Sequence, residues 1–397
     1  MKHTTTRRRF LAALAATLGW ATVAAAGRLL RADPIQAAKG APALQPRAYL
    51  PLALRRYPPV RVVHVHSAAA TYWDFSAGWY GDYVRQDVVD DMMEQGLMRL
   101  TQTTSVSDAW SQILPDYSPG EGIAVKINLN NCRNCDKSDN QIDALVETVN
   151  ALIGTMVAAG IREQDVWVYD ALRYMVPRFY DRRLFTGARY LDRGGCSAET
   201  ATFDRVDGSL QVAMSHPSMT RPRWLADVLH EASYVINMPI LKKHGTHPVT
   251  LGFKNHFGSL SDLGGATEDN PHSYINPDHS LYTSTFSPLV DINSNPNVAG
   301  KTVLTVGDAL FAAPGAGAAP TPWYNIFGGD APNSLLFSRD PVAIDCVMCD
   351  LLRAEWGLSE AAYDYLRLAQ QRGLGLFERG EPWGSGYEAI LYERLTI

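Results

Sequence analysis

The sequence predicts an α/β fold: a mostly parallel sheet covered by helices on both faces, built as a single large domain or as two closely fused lobes. Three observations carry that prediction. Apolar β-rich runs alternate with helical patterns along the chain, and no fixed-period repeat points to a solenoid or propeller. Roughly 340 residues follow Val60, enough to bury one large core or two.

In chain order, the first element is a leader. "TRRRFL", Thr6 to Leu11, runs into an Ala-rich apolar stretch that ends in Ala24, Ala25 and Ala26. An arginine pair, Phe and Leu before a weakly hydrophobic run and an A-x-A site is the pattern of a twin-arginine export signal over residues 1–26. It predicts a periplasmic, extracellular or cell-surface location and the twin-arginine export machinery as a partner. A membrane anchor is the alternative, but the run is shorter than the ~20 residues a span needs. No stable membrane span is therefore expected after cleavage. Losing residues 1–26 removes Lys2, Arg7, Arg8 and Arg9 and no acid, so the net charge moves from −5 to −9. Such a surface argues against nucleic acid or an anionic membrane as the main partner. Residues 27–59 hold six prolines and no periodic apolar face, which reads as a Pro/Ala-rich linker.

From Val60 the strand patterns are 60–66, 122–130, 165–170, 232–241, 302–308 and 333–338. The helical patterns are 84–101, 140–159, 223–231, 341–355 and 359–372. The helix at 140–159 repeats Ile142, Leu145, Val149, Leu152, Ile153 and Met156 at helical spacing and stops at Gly160. It joins two strands into a βαβ unit. The helix from Pro341 has Asp340 as N-cap and is apolar almost all round, so it is buried.

In a parallel sheet, ligands sit beyond the carboxyl ends of the strands. Those ends carry Lys126, Asn128 and Asn130, then Asp170, then Lys242, Lys243, His244 and His247, and then Asp308. Between Tyr234 and Leu260 the chain holds Lys242, Lys243, Lys254, His244, His247 and His256 and no acid, although it has 41 acids against 36 Lys plus Arg overall. Pro248 is placed to open a short helix that carries Lys254 and Asn255. Lysines converging from several elements make a positive pocket suited to a carboxylate, phosphate or sulfate. A lysine crowded by other cations loses basicity and can act as base or nucleophile. Lys242, His244 and Lys254 are therefore the catalytic candidates, with Lys126, Asn128, Asn130, Asp170, Lys243, His247, Asn255, Asp308 and Asp345 as ligand-binding candidates.

The landmarks "GIAVKINLN", "VINMPILKKHGTHPVTLGFKNHFGS", "VLTVGDALFA" and "SLLFSRDPVAIDCVMCDLL" resemble, in that order, the domain-of-unknown-function 362 family. Some members of that family carry ferredoxin-type iron–sulfur segments. This chain lacks a run of four closely spaced cysteines followed by Pro. The resemblance covers most of the chain from Val60 and implies no established reaction.

Two C-x-x-C pairs, Cys132 with Cys135 and Cys346 with Cys349, leave Cys196 as the odd thiol. The first pair can form a local disulfide, a redox pair or half of a metal site. The second lies in the buried helix, where cysteine serves as a small hydrophobe. His244-x-x-His247 has metal-ligand spacing, with His256 or Asp308 as third ligand, but the adjacent lysines oppose a cation. Asp345, a carboxylate inside an apolar helix, must meet a lysine or a backbone donor; the expectation is that it orients Lys126 or Lys254. The function expected is that of an exported enzyme acting on a small anionic compound through a Lys/His strand-end pocket. Its cofactor is unnamed by the sequence. An iron–sulfur, zinc or disulfide redox protein and a non-catalytic anion-binding module are the alternatives.

Overall fold

Side chains alternate between two buried faces along each central strand, and that alternation is what the strand runs encode. The computed structural model describes residues 60–397; the leader at 1–26 and the linker at 27–59 lie outside the described residues. The strands are β1 (Arg61–His66), β2 (Ile123–Lys126), β3 (Val166–Tyr169), β4 (Arg189–Asp192), β5 (Glu199–Thr200), β6 (Gln211–Val212), β7 (Arg223–Trp224), β8 (Tyr234–Asn237), β9 (Ile240–Lys242), β10 (Thr302–Ala313), β11 (Ser334–Ser338) and β12 (Leu391–Thr396). The helices used below are α1 (Gln86–Thr101), α2 (Val106–Ile113), α3 (Val146–Ala158), α4 (Leu251–Asn255), α5 (Pro288–Asn293), α6 (Pro341–Trp356) and α7 (Asp364–Gln371).

Ten strands form one sheet in the order β12-β1-β11-β10-β8-β2-β3-β4-β5, with β9 added to β10. Every pairing in it is parallel except the two that β11 makes. From β2 the chain steps outward through β3, β4 and β5, then returns to place β8 on the other side of β2. The switch point therefore lies between β2 and β8, where Lys126 pairs with Asn237 in register. On β2, Ile123 and Val125 point into a core with α1, α2 and α3, while Ala124 points into the core that holds α4 to α7. Both faces are thus covered, as an α/β domain requires. No helix among the described residues is long and apolar enough to cross a membrane.

Four boundaries differ from the sequence pattern. The helix expected from 140 begins only at Val146, because the extended 140–145 segment is tied by Ile142 N–H to Ala318 O and Ala144 N–H to Asn128 O. Pro239 splits the expected strand 232–241 into β8 and β9, since it has no N–H for the ladder. The pattern at 223–231 divides into β7 and a single turn, Val228–Glu231. Pro248 does not open a helix: Val249 bridges back to Lys243, and α4 starts at Leu251. Asp340 does cap α6, accepting from the Val342 and Ala343 N–H groups with Pro341 in the first turn.

Candidate functional site at the strand ends

The switch point is held by a closed polar network. Asn255 Nδ2 donates to Asn237 Oδ1 (2.7 Å) and to Lys126 O (3.1 Å). Its Oδ1 accepts from Lys126 Nζ (3.2 Å) and Asn128 Nδ2 (3.1 Å). Lys126 Nζ also donates to Ile127 O and lies 3.2 Å from Asp170 Oδ2. Asp170 accepts further from the Leu129 and Leu172 N–H groups, each at 3.1 Å. Gly258 covers the pair: a Cβ there would stand 2.7 Å from Lys126 Nζ and 2.9 Å from Asp170 Oδ1, so only glycine lets the backbone approach this closely. Lys126 was expected to bind ligand, but it is fully buried and its protons are used internally. It works as a keystone joining β2, β3 and α4.

Asp345 anchors α4 from below. Its Oδ1 accepts from Gly252 N–H (2.8 Å) and its Oδ2 from Phe253 N–H (3.0 Å) and Tyr365 O–H (3.0 Å). These backbone donors correct the expectation of a lysine partner: Asp345 satisfies the free N–H groups at the buried start of α4, which a carboxylate does well. Burial raises its pKa to about 7 against these hydrogen bonds. Leu251, at the first position of α4, sits at φ +42°, a conformation that the anchored start of the helix sustains. The consequence is positional, since Lys254 and Asn255 ride on α4.

Above the network opens a cleft with about 480 Å³ of empty volume, part of it continuous with solvent. Its cations are Lys254 and Arg173, its imidazoles His244 and His272, and its neutral donors include Asn128, Asn130 and Thr250. Asp170 is the acid in the wall, already paired with Lys126. Lys254 is buried except where it meets the cleft, and its Nζ lies 4.7 Å from the Phe257 ring centre with neither hydrogen bond nor ion pair among the described residues. Burial, then the charges of Lys242 and Arg173, push its pKa down to about 7. Arg173 is fixed by Nε donating to Asn130 O (2.7 Å) and Nη1 to Leu172 O (3.0 Å). Thr250 Oγ1 lines the cleft, buried, with no partner among the described residues.

His244 Nδ1 accepts from Thr246 N–H (3.1 Å) and His247 N–H (3.3 Å), so the neutral ring carries its proton on Nε2. Burial and then Lys254 hold His244 well below the usual imidazole range. His272, brought in by the segment after α4, is lowered to about 4 by burial and then Lys254.

Several expected residues sit elsewhere. Lys242 is fully buried beneath the cleft, and its Nζ has no hydrogen bond among the described residues; burial lowers it to about 8, with Asp143 opposing. It reaches a ligand only through its charge. Lys243 Nζ turns outward to Gly357 O (3.3 Å). His247 Nδ1 donates to Val249 O (2.6 Å), and the ring packs on Tyr365 away from the cleft. Asp308 is buried in β10 under Thr148 (3.2 Å) and is raised to about 6 by burial. His256 meets Ser259 below Lys126. Arg173, Thr250 and His272 are site residues that the sequence pattern did not single out.

Comparison with protein-family models finds a match for the sequence that supplies this geometry. The model described as "Domain of unknown function (DUF362)" aligns with residues 123–350, more than half of the chain. The chain belongs to the DUF362 family. The DUF362 match begins at the first residue of β2 and ends inside α6, so it includes Lys126, Asp170, Lys254 and Asp345. No curated protein matches the chain.

The DUF362 chain disposes of its cysteines differently from the C-x-x-C expectation. Cys135 is joined to Cys196, with Cα atoms 5.7 Å apart. Cys132 is buried and donates to Asp143 Oδ2 (3.3 Å), and Cys346 and Cys349 are buried in α6. Burial raises all three thiols well above their ordinary pKa. The reading of Cys132 and Cys135 as a local pair is thus corrected: Cys135 is spent in a disulfide with Cys196, while Cys132 lies in one core and Cys346 and Cys349 in the other. Among the described residues no cluster of His, Cys, Asp or Glu has the arrangement of a metal site, and His244 and His247 face different spaces.

Proposed function

We propose that the cleft binds a small compound bearing a carboxylate, phosphate or sulfate, and that the protein is an enzyme in which Lys254 moves a proton at that compound. The observation that carries this reading is the unpaired Lys254 ammonium beside Arg173 at the switch point. A buried cation without a counter-ion is costly, and an incoming anion supplies what is missing. Near pH 7 Lys254 divides between ammonium and amine, so it serves either as proton donor or as base. His244, neutral with its proton on Nε2, serves as a hydrogen-bond donor to the bound compound. Lys242 and Lys126 add positive potential from behind the wall without touching the ligand.

A thermal-shift screen of sulfate, phosphate and small carboxylates tests the reading. Wild type is stabilised by at least one of them and Lys254→Met is not. Equal response in the two proteins would remove the cleft as the binding place. The N-terminal pattern and the disulfide together support export to an oxidising compartment. Replacing Arg7 and Arg8 by Lys in the full chain should then retain it in the cytoplasm, whereas unchanged export would defeat that assignment.

A further inference from the structure

We infer that Lys254 is a nucleophile for small 2-oxo acids, forming an imine at their carbonyl carbon; this rests on the anion cleft proposed above and names its ligand class. Three features of the cleft divide the work. Arg173, held by two backbone carbonyls with its remaining N–H groups free for the cleft, is a permanent cation for the carboxylate. Thr250 Oγ1 is a buried hydroxyl without a partner, matched to an oxygen on the atom next to that carboxylate. Lys254 Nζ lies between an aromatic face and other cations with no acid beside it.

A lysine meant only to hold an anion gains from remaining charged. Burial and the proximity of Lys242 and Arg173 instead favour the free amine, the form that attacks a carbonyl. His244, whose Nε2–H is left free by its backbone acceptor role, and His272 complete the wall as neutral hydrogen-bonding imidazoles.

The step balances without an oxidant or reductant. The Lys254 amine nitrogen bonds to the carbonyl carbon, and the C=O π pair moves to oxygen, which takes the proton that the nitrogen releases to give a neutral carbinolamine. The nitrogen lone pair then expels that oxygen as water after a second proton reaches it, and loss of the remaining N–H proton or its retention gives imine or iminium. The net change is amine plus ketone to imine plus water. The second proton comes from solvent, and the neutral His244, which shares the cleft, offers its Nε2–H as a hydrogen-bond donor to the departing oxygen.

The test incubates the full chain with pyruvate or glyoxylate, reduces with borohydride, and locates the adduct by peptide mass spectrometry, with thermal stabilisation by the same acids read in parallel. The expected result is one reduced adduct per chain, on the peptide holding Lys254. It should be absent in Lys254→Met and lowered about tenfold in Arg173→Met, the loss of one charge-assisted contact. Stabilisation by the oxo acids without an adduct would overturn the nucleophile and leave the anion cleft standing. Adducts spread over surface lysines, or retained in Lys254→Met, would also overturn it. Neither adduct nor stabilisation by any oxo acid, sulfate or phosphate would overturn both proposals.

Discussion

Replacing Lys126 by methionine separates its role from that of Lys254. Lys126 Nζ lies 3.2 Å from Asp170 Oδ2 and 3.2 Å from Asn255 Oδ1, with both partners buried. Methionine preserves the length of the side chain but leaves the Asp170 carboxylate with only the Leu129 and Leu172 N–H groups. Stranding one member of a buried ion pair costs about 3–5 kcal/mol, and the two surviving donors place the loss at the lower end, about 3 kcal/mol. At roughly 2 °C per kcal/mol for a body of this size, Tm should fall by about 6 °C. Adding Asp170→Asn should recover part of that loss, because it removes the stranded charge. Lys254→Met should do the opposite: its ammonium has no partner to strand, so Tm stays level or rises while the sulfate response disappears. Differential scanning calorimetry of the variants with and without sulfate reads both effects. If Lys126→Met keeps its Tm and loses the sulfate response, Lys126 is the ligand group and the ion-pair argument is wrong.

Three further outcomes follow from the same geometry. Asp345→Ala leaves the Gly252 and Phe253 N–H groups and the Tyr365 hydroxyl without their acceptor. It should cost about 3 kcal/mol and weaken sulfate binding through α4, measured by urea denaturation and titration; unchanged affinity would show that α4 does not need the anchor. Non-reducing peptide mapping should find Cys135 linked to Cys196, and reduction should lower stability by about 2–4 kcal/mol; a Cys132–Cys135 peptide would contradict the fold around the cleft. The third outcome concerns pH. Lys254 is faced by Lys242 and Arg173, by the imidazoles of His244 and His272, and by Asp170 across the cleft, and its pKa falls from 10.5 to about 7 on folding. Between those values the unfolded chain holds a proton that the folded one has released, so this group makes stability rise with pH across that window. The stability of wild type relative to Lys254→Met should therefore increase from about pH 7 to about pH 10 in urea denaturation; a constant difference would contradict the assignment.

Much of the fold was legible because the central strands are covered on both faces and therefore run as continuous apolar segments: Ile123 to Lys126, Val166 to Tyr169 and Tyr234 to Asn237 are buried almost throughout. The ends of α3 and α6 were legible for local reasons, a glycine at φ +86° at Gly160 and a capping carboxylate at Asp340. β4 and β12 were not. Arg189–Asp192 has a charged residue at each end, and Leu391–Thr396 carries two charges on a partly exposed edge, so pairing with a neighbour, not periodicity, makes them strands. At the site, strand-end logic led to the segment around Lys254 and to Asp170 but could not say which cation is already paired. Lys126 and Lys254 look alike in sequence, and only packing gives one an aspartate and the other an open cleft. Arg173 follows the end of β3 by four residues and was within reach of the same rule. His272 was not, because a loop outside the strand ends carries it into the wall. Disulfide connectivity is likewise a tertiary property: C-x-x-C spacing left several pairings open, and only the fold brings Cys135 to Cys196.

The most direct test is proton uptake on anion binding, measured by titrating sulfate calorimetrically at about pH 8 in two buffers of different ionisation enthalpy. At that pH the Lys254 amine is mostly neutral, its pKa being about 7, and a bound anion draws it back to ammonium. The account predicts uptake approaching one proton per chain in wild type and none in Lys254→Met. Binding without proton uptake, or the same uptake in both proteins, would contradict it.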